Sequence, residues 1–261
     1  MNAAVNKLIA LDLDGTCARY EPHLEIDPVL IDYFRSFNHD GVQWIINSDR
    51  YAETLFDVAN RLPKAQRPAA VLSLQRFIYL LNQDGVYVSW DEWNDRQIAK
   101  HEQLWQKITP YFAEWQQAVE SRFTVLDRVV NEIVFAYMVH SQDIHKLREM
   151  MNDFLAPFPE AQVSGNHDWS FMLHRSFSKA ALLQAAADYF KVAREDIIAV
   201  GDGLNDITML CGEVTPNVGC PVNASSEVLA VVKAAGGVLA SGESADGTLE
   251  VLKYYLENRQ S

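Results

Sequence analysis

Apolar positions in this chain fall into two patterns. Short unbroken runs at residues 8–11, 42–47 and 69–72 read as strands buried on both faces, the kind parallel sheets contain. Between them, residues 28–39 and 51–62 carry apolar groups at helical spacing. Asp27 reads as the N-cap of the first helix, with Pro28 in its first turn and the turn Asp40-Gly41 after it. Pro63 stops the second helix. This β-α-β-α-β order predicts a doubly wound parallel sheet. The pattern returns near residue 178. A helix over 179–191 starts after Ser178 as N-cap, and a strand follows at 197–200. A short helix (206–210), a strand (214–218), a helix (225–235), a strand (238–239) and a closing helix (246–257) complete it.

The middle of the chain changes character. Runs at 77–81 and 86–89 flank Asn82-Gln83-Asp84-Gly85, a hairpin signal. A helical pattern extends from residue 91 to about 121. Trp90, Trp93, Trp105 and Trp115 cluster along it and are expected to pack within this part. Residues 131–139, 161–163 and 171–173 read as strands and 144–155 as a helix. The prediction is an α/β fold: a doubly wound parallel-sheet core made of residues 1–76 and 176–261, with a smaller α/β domain, residues 77–175, inserted into it.

Composition narrows the function. Of 261 residues, 49% are hydrophobic, ample for cores in both parts, and the net charge of −13 argues against nucleic acid or an anionic membrane as partner. Three cysteines, Cys17, Cys211 and Cys220, have no metal-ligand spacing and suggest reduced thiols, with Cys17 as buried filler. No apolar run approaches the ~20 residues that cross a bilayer. The first residues lack a signal-peptide core, so a cytoplasmic location is expected.

The candidate chemistry sits where the apolar runs stop. Asp12 and Asp14 follow the first strand two positions apart, and residues i and i+2 of a strand share a face. Carboxylates so close repel unless one is protonated or a cation lies between them. Nearly two hundred residues on, the run at 197–200 ends in Gly201-Asp202-Gly203-Leu204-Asn205-Asp206. Two strand ends with acidic clusters fit a site at the carboxyl edge of a parallel sheet. Asp12 is the candidate nucleophile toward phosphorus, and Asp14 the general acid and then base, a role that a raised pKa would serve. Gly15 and Thr16 shape the turn. Ser48, at the end of the second strand run, would donate to a phosphoryl oxygen, and Lys179 would neutralise its charge. Mg2+ is the expected cofactor, with Asp12, Asp14 through its carbonyl, and Asp202 as ligands. Asp206 would hold a metal-bound water or position Lys179, and Asn205 would orient either.

Asp12-x-Asp14-Gly15-Thr16, Ser48, Lys179 and Gly201-Asp202-Gly203-x-Asn205-Asp206 resemble, in order, the four motifs of the haloacid dehalogenase superfamily. The resemblance implies an Mg2+-dependent phosphatase. The insertion between the second and third motifs resembles the α/β cap of its sugar-phosphatase subgroup, which includes sucrose- and trehalose-phosphate phosphatases. Residues 218–224 resemble that subgroup's segment after the fourth motif, which implies Asn223 near the substrate. Asp246-Gly247-Thr248 resembles its Asp-Gly-Val. Asn47-Ser48-Asp49-Arg50 stands where Thr-Gly-Arg is more usual, the residue after Lys179 is not the frequent glycine, and Cys17 replaces a common leucine. The cap is expected to choose the substrate and to exclude water by closing. Its segment Ser164-Gly165-Asn166-His167-Asp168-Trp169, with His174 and Arg175, offers groups for sugar hydroxyls and anions, Trp169 and Arg175 foremost. The expected partner is a small phosphorylated metabolite, with the oligomeric state left open. A phosphomutase or phosphotransferase would share the aspartyl-phosphate. A non-catalytic phosphate-binding protein would lack turnover, and a receiver domain is about half as long.

Overall fold

The computed structural model describes residues 5–36, 41–166 and 168–257. The expected end of the first helix at His39, the turn at Asp40 and the cap residue His167 lie outside them. The chain divides into two compact units, Met1–Asp91 with Ser178–Ser261, and Glu92–Phe177. The first contains β1 (Lys7–Leu11), β2 (Ala18–Arg19), β3 (Glu25–Ile26), α1 (Pro28–Ser36), β4 (Val42–Ser48), α2 (Ala52–Asn60), β5 (Ala70–Ser73), β6 (Phe77–Leu81) and β7 (Tyr87–Ser89). Next come α3 (Asp91–Ile108), α4 (Phe112–Arg122), β8 (Val125–Val130), β9 (Phe135–Val139), α5 (Ile144–Leu155), β10 (Ala161–Asn166) and β11 (Trp169–His174). The first unit resumes with α6 (Lys179–Phe190), β12 (Ile197–Val200), α7 (Ile207–Leu210), β13 (Asn217–Cys220), α8 (Ser226–Ala234), β14 (Val238–Leu239) and α9 (Ser244–Glu257).

Eight strands form the sheet of the first unit in the order β14-β13-β12-β1-β4-β5-β6-β7. From β14 to β5 all neighbours are parallel. β1 is central, with Leu11 opposite Ile46 on one side and Val200 on the other. The chain builds outward from β1 through β4 and β5, then returns on the other side through β12. The reversal between β1 and β12 makes their carboxyl ends a topological switch point, where such sheets bind ligands. The apolar runs are continuous because both faces are covered. Leu8, Ile9, Ala10 and Leu11 are all at 0% exposure, and Ile9 and Leu11 join a core with Leu30, Ile46, Leu55, Val251 and Leu252.

Four local readings are corrected. The hairpin of β6 and β7 pairs antiparallel with β5 and extends the large sheet, so the second unit starts at Glu92 and not at residue 77. Helical spacing over 91–121 is interrupted at Thr109–Tyr111, where Pro110 lacks the N–H that would continue the helix. The run at 131–139 is a strand only from Phe135, because the Asn131 side chain accepts from Ile133 and Val134 N–H and turns the chain. The strand expected at 214–218 is displaced to Asn217–Cys220, since Pro216 cannot donate and the Thr215 hydroxyl bonds the Ile197 carbonyl at 2.6 Å instead.

The second unit is a four-stranded antiparallel sheet, order β10-β11-β9-β8, with its own core. Leu104, Trp105, Ile108, Phe112, Trp115, Leu147 and Met151 from the helices meet Phe135 and Tyr137 from β9. Trp105 and Trp115 are thus core groups, while Trp90 packs in the first unit against Tyr189 at 5.0 Å. Among the described residues no helix is long and apolar enough to cross a membrane. Phe135→Ala, which empties a fully buried ring site, is expected to lower the unfolding free energy by about 3–5 kcal/mol, read by urea denaturation with circular dichroism.

Candidate active site

The carboxyl ends of β1 and β12 place Asp12 and Asp202 beside each other. Asp12 N–H donates to the Val200 carbonyl at 3.0 Å, which continues the ladder to the residue that carries the carboxylate. Asp12, Asp202 and Asp206 each offer an oxygen, all within 4.8 Å of one another, and all three are buried. Lys179 opens α6, whose N-cap Ser178 accepts from Ala181 N–H at 3.1 Å. Its ammonium donates to Asp12 Oδ1 at 2.5 Å and to Asp206 Oδ1 at 2.6 Å, fully buried. Asn47 of β4 donates to the Lys179 carbonyl at 3.0 Å and fixes the start of the helix.

The loop after β12 folds on itself. Asp206 Oδ2 accepts from the N–H groups of Asp202 at 3.0 Å and Gly203 at 2.9 Å. Gly201 is required here, because a Cβ would stand 2.4 Å from the Asp206 carboxyl carbon. Gly15 has φ +72°, and a Cβ there would meet Asp202 Oδ2 at 2.3 Å. Both glycines let backbone approach carboxylates closely.

Thr16 does more than shape its own turn. Its hydroxyl donates to Asp202 Oδ1 at 2.9 Å, while its carbonyl accepts from the Thr248 hydroxyl at 2.8 Å. Asn223 is also committed within the protein: its amide donates to the Gly15 carbonyl at 2.9 Å and accepts from Ser244 N–H at 2.6 Å. Asn205 donates to Asp49 Oδ2 at 2.8 Å. Ser48, buried at the end of β4, accepts from Arg50 N–H at 3.3 Å. Trp169 and Arg175 belong to the second unit. The Trp169 carbonyl accepts from Arg148 at 3.3 Å, and the Arg175 guanidinium donates to the Ala161 carbonyl at 3.2 Å. Cys17 and Cys220 are buried and free, and Cys17 donates to the Asp12 carbonyl at 2.9 Å.

Electrostatics separate the two motif carboxylates. Burial pushes the Asp12 carboxyl well above its usual range, Asp206 and Asp202 add to this, and Lys179 opposes it. Burial also pushes Asp14 up, but the hydrogen bonds of Arg50 and Tyr20, with the charges of Arg50 and Lys179, together outweigh it and hold the group below the ordinary value. Arg50 donates from Nε to Asp14 Oδ2 at 2.8 Å and from Nη2 to Oδ1 at 2.7 Å, and the Tyr20 hydroxyl adds a third bond at 2.7 Å. The expectation that neighbouring carboxylates raise Asp14 is therefore corrected: its neighbours are a guanidinium and a phenol. Sequence reasoning missed the roles of Arg50, Tyr20 and Asn47. Arg50 and Asn47 carried a signal, as polar groups at the end of a buried strand; Tyr20 carried none.

Three buried carboxylates, two of them paired with one ammonium, form an all-oxygen donor set with excess negative charge. That set suits a small hard divalent cation, with Asp12, Asp202 and Asp206 as the side chains that would hold it.

The sequence profile of the haloacid dehalogenase-like hydrolases matches residues 68–252. A curated relative is the 5-amino-6-(5-phospho-D-ribitylamino)uracil phosphatase of Bacillus subtilis (strain 168), 31% identical over 134 residues, which are 48% of this chain and 46% of the relative. The match thus spans about half the length of that relative. Among solved structures, the sucrose-phosphatase from Synechocystis sp. PCC6803 in complex with sucrose and phosphate covers 96% of this chain and 98% of its own, with TM-score 0.71 at 17% identity. A subclass IIB sugar phosphatase of the same superfamily covers 96% and 99%, with TM-score 0.65 at 15% identity. These two share the fold.

Lys179→Met leaves Asp12 and Asp206 buried without their cation, and is expected to cost about 3–5 kcal/mol of unfolding free energy by urea denaturation at pH 7. Arg50→Ala tests the Asp14 clamp. A lowered carboxylate pKa contributes stability above the unfolded value of about 3.9 and loses it as pH falls through the folded value. The stability gap between wild type and Arg50→Ala is therefore expected near neutral pH and should close in acid. A gap independent of pH would refute the clamp.

Proposed function

The chain belongs to the haloacid dehalogenase-like hydrolases, and on that premise we propose that it is a Mg2+-dependent phosphomonoester hydrolase that works through an aspartyl-phosphate on Asp12. The observation that carries this is the buried cluster of Asp12, Asp202 and Asp206, with the Lys179 ammonium paired to Asp12 and Asp206. Such a cluster has no packing purpose, since it places like charges together out of water.

Asp12, Asp202 and Asp206 would hold the ion, with the Asp14 carbonyl as a further oxygen. When bound, Mg2+ supplies Lewis-acid polarisation of phosphoryl oxygens and offsets the repulsion between a carboxylate and a phosphate dianion. The remaining work belongs to the chain. An Asp12 oxygen attacks phosphorus while the bond to the leaving oxygen breaks. Lys179 and the Ser48 hydroxyl stabilise charge on the equatorial oxygens. Asp14 protonates the leaving oxygen, then takes a proton from water, whose oxygen displaces Asp12 and yields inorganic phosphate. Arg50 engages both Asp14 oxygens in this structure, so Asp14 would be freed for proton delivery when Arg50 turns to another anion, and the substrate phosphoryl group is one.

A phosphorylated sugar or related small metabolite is the substrate class we favour. The sucrose-phosphatase and the subclass IIB sugar phosphatase share this fold across 96% of the chain, and the curated relative acts on a phosphoribityl compound. Trp169 and Arg175 are the residues of the second unit we assign to that selection.

With para-nitrophenyl phosphate and Mg2+, turnover is expected in wild type and absent in excess EDTA. Asp12→Asn should lose on the order of 10³-fold or more with the fold intact. In oxygen-labelled water the label should enter free phosphate. Full activity of Asp12→Asn would remove Asp12 as nucleophile, and transfer to an added alcohol without label incorporation would make the protein a phosphotransferase.

A further inference from the structure

Asp49 has no part in the reaction described above, yet it occupies costly ground. It follows Ser48 at the carboxyl end of β4 and is partly buried near Asp206: desolvation pushes its carboxyl up, Lys179 opposes this, and Asp206 adds to it. Oδ2 accepts from Asn205 Nδ2 at 2.8 Å and from Gln75 Nε2 at 3.2 Å, while Oδ1 is buried without a hydrogen bond. The loop that delivers Gln75 is itself strained. Leu74 and Gln75 both take left-handed backbone, φ +53° and +57°, a region that side-chain-bearing residues avoid. The strained loop, through Gln75, and the loop after β12, through Asn205, therefore converge on one oxygen, Asp49 Oδ2.

Asn205 lies in the loop that carries Asp202 and Asp206. That loop is gripped on its β1 side by the Thr16 hydroxyl on Asp202 and at its end by Lys179 on Asp206. Asp49 supplies the matching grip on the β4 side. We propose that Asp49 is a positioning residue for the metal-binding loop, holding residues 201–206 through Asn205 so that Asp202 and Asp206 are preset to receive a divalent cation. The inference rests on the proposed Mg2+ dependence and adds to it a residue that stands where the related motif more usually has glycine. Groups that orient metal ligands from behind typically change metal affinity 10–100-fold when removed.

The test is Mg2+ binding to the purified protein by isothermal titration calorimetry, without substrate. Wild type should bind; a wild type that does not bind millimolar Mg2+ overturns the proposed function and this inference together. Given binding, Asp49→Ala, which removes the acceptor and the charge, should raise Kd about tenfold or more. Asp49→Asn keeps an oxygen for Asn205 and loses only the charge, and should stay within about threefold of wild type. At saturating Mg2+ both variants should keep kcat on para-nitrophenyl phosphate near wild type. Unchanged Kd in Asp49→Ala overturns the positioning role while leaving the hydrolase reading intact. Equal weakening in both variants overturns it too, because the effect would then be bulk charge. Melting temperatures report folding; should Asp49→Ala not fold, Gln75→Ala, which removes one of the two bonds to Asp49, decides by raising Kd or leaving it unchanged.

Discussion

A single ammonium group organises the first unit. Lys179 is at 0% exposure, and a cation there exists only because Asp12 and Asp206 receive it at 2.5 and 2.6 Å. Those two acids come from opposite parts of the chain, 167 and 27 residues away in sequence. The backbone of the same residue is bonded by Asn47. The end of β1, the end of β4 and the loop after β12 are thus tied to one residue at the start of α6. Remove the ammonium and the acids repel; remove the acids and the ammonium is stranded. The same mutual dependence keeps the carboxylates close enough to share a metal ion.

The two described cations of this site are both engaged. Arg50 holds Asp14, and Lys179 is divided between two carboxylates. In the proposed reaction a phosphate dianion arrives as a competitor for partners already taken, in a chain of net charge −13. Binding then favours a ligand that brings its phosphoryl group together with a divalent cation, since the cation restores balance among the acids as the phosphate draws on Arg50 and Lys179.

Much of this was legible in the sequence, and the limits have physical causes. Strands buried on both faces announce themselves as unbroken apolar runs, so β1, β4, β5 and β12 were found where they lie. β8 was missed because it is an edge strand with Leu126 and Asp127 exposed, so its residues follow no clean alternation. The hairpin of β6 and β7 was found as a hairpin, but a local pattern cannot say which sheet it joins. At the site, Asp12, Lys179, Asp202 and Asp206 were legible because charged groups ending apolar runs are conspicuous. Thr16 was read as shaping its own turn and Asn223 as lying near the substrate; what the sequence did not show is that their side chains reach Asp202 and Gly15, partners 186 and 208 residues away. Which hydroxyl or amide braces which loop is a fact of three-dimensional proximity, and no spacing encodes it.

The central place of β1 has a consequence for synthesis. Its partner on one side, β4, follows within a few dozen residues, but its partner on the other, β12, begins at Ile197, after the whole second unit. While the ribosome makes residues 92–177, the flank of β1 that will meet Ile197–Val200 has no strand to pair with, and its Leu8–Leu11 backbone groups stand open beside a fully apolar surface. A nascent chain of this kind carries a sticky half-sheet for as long as its insert takes to emerge.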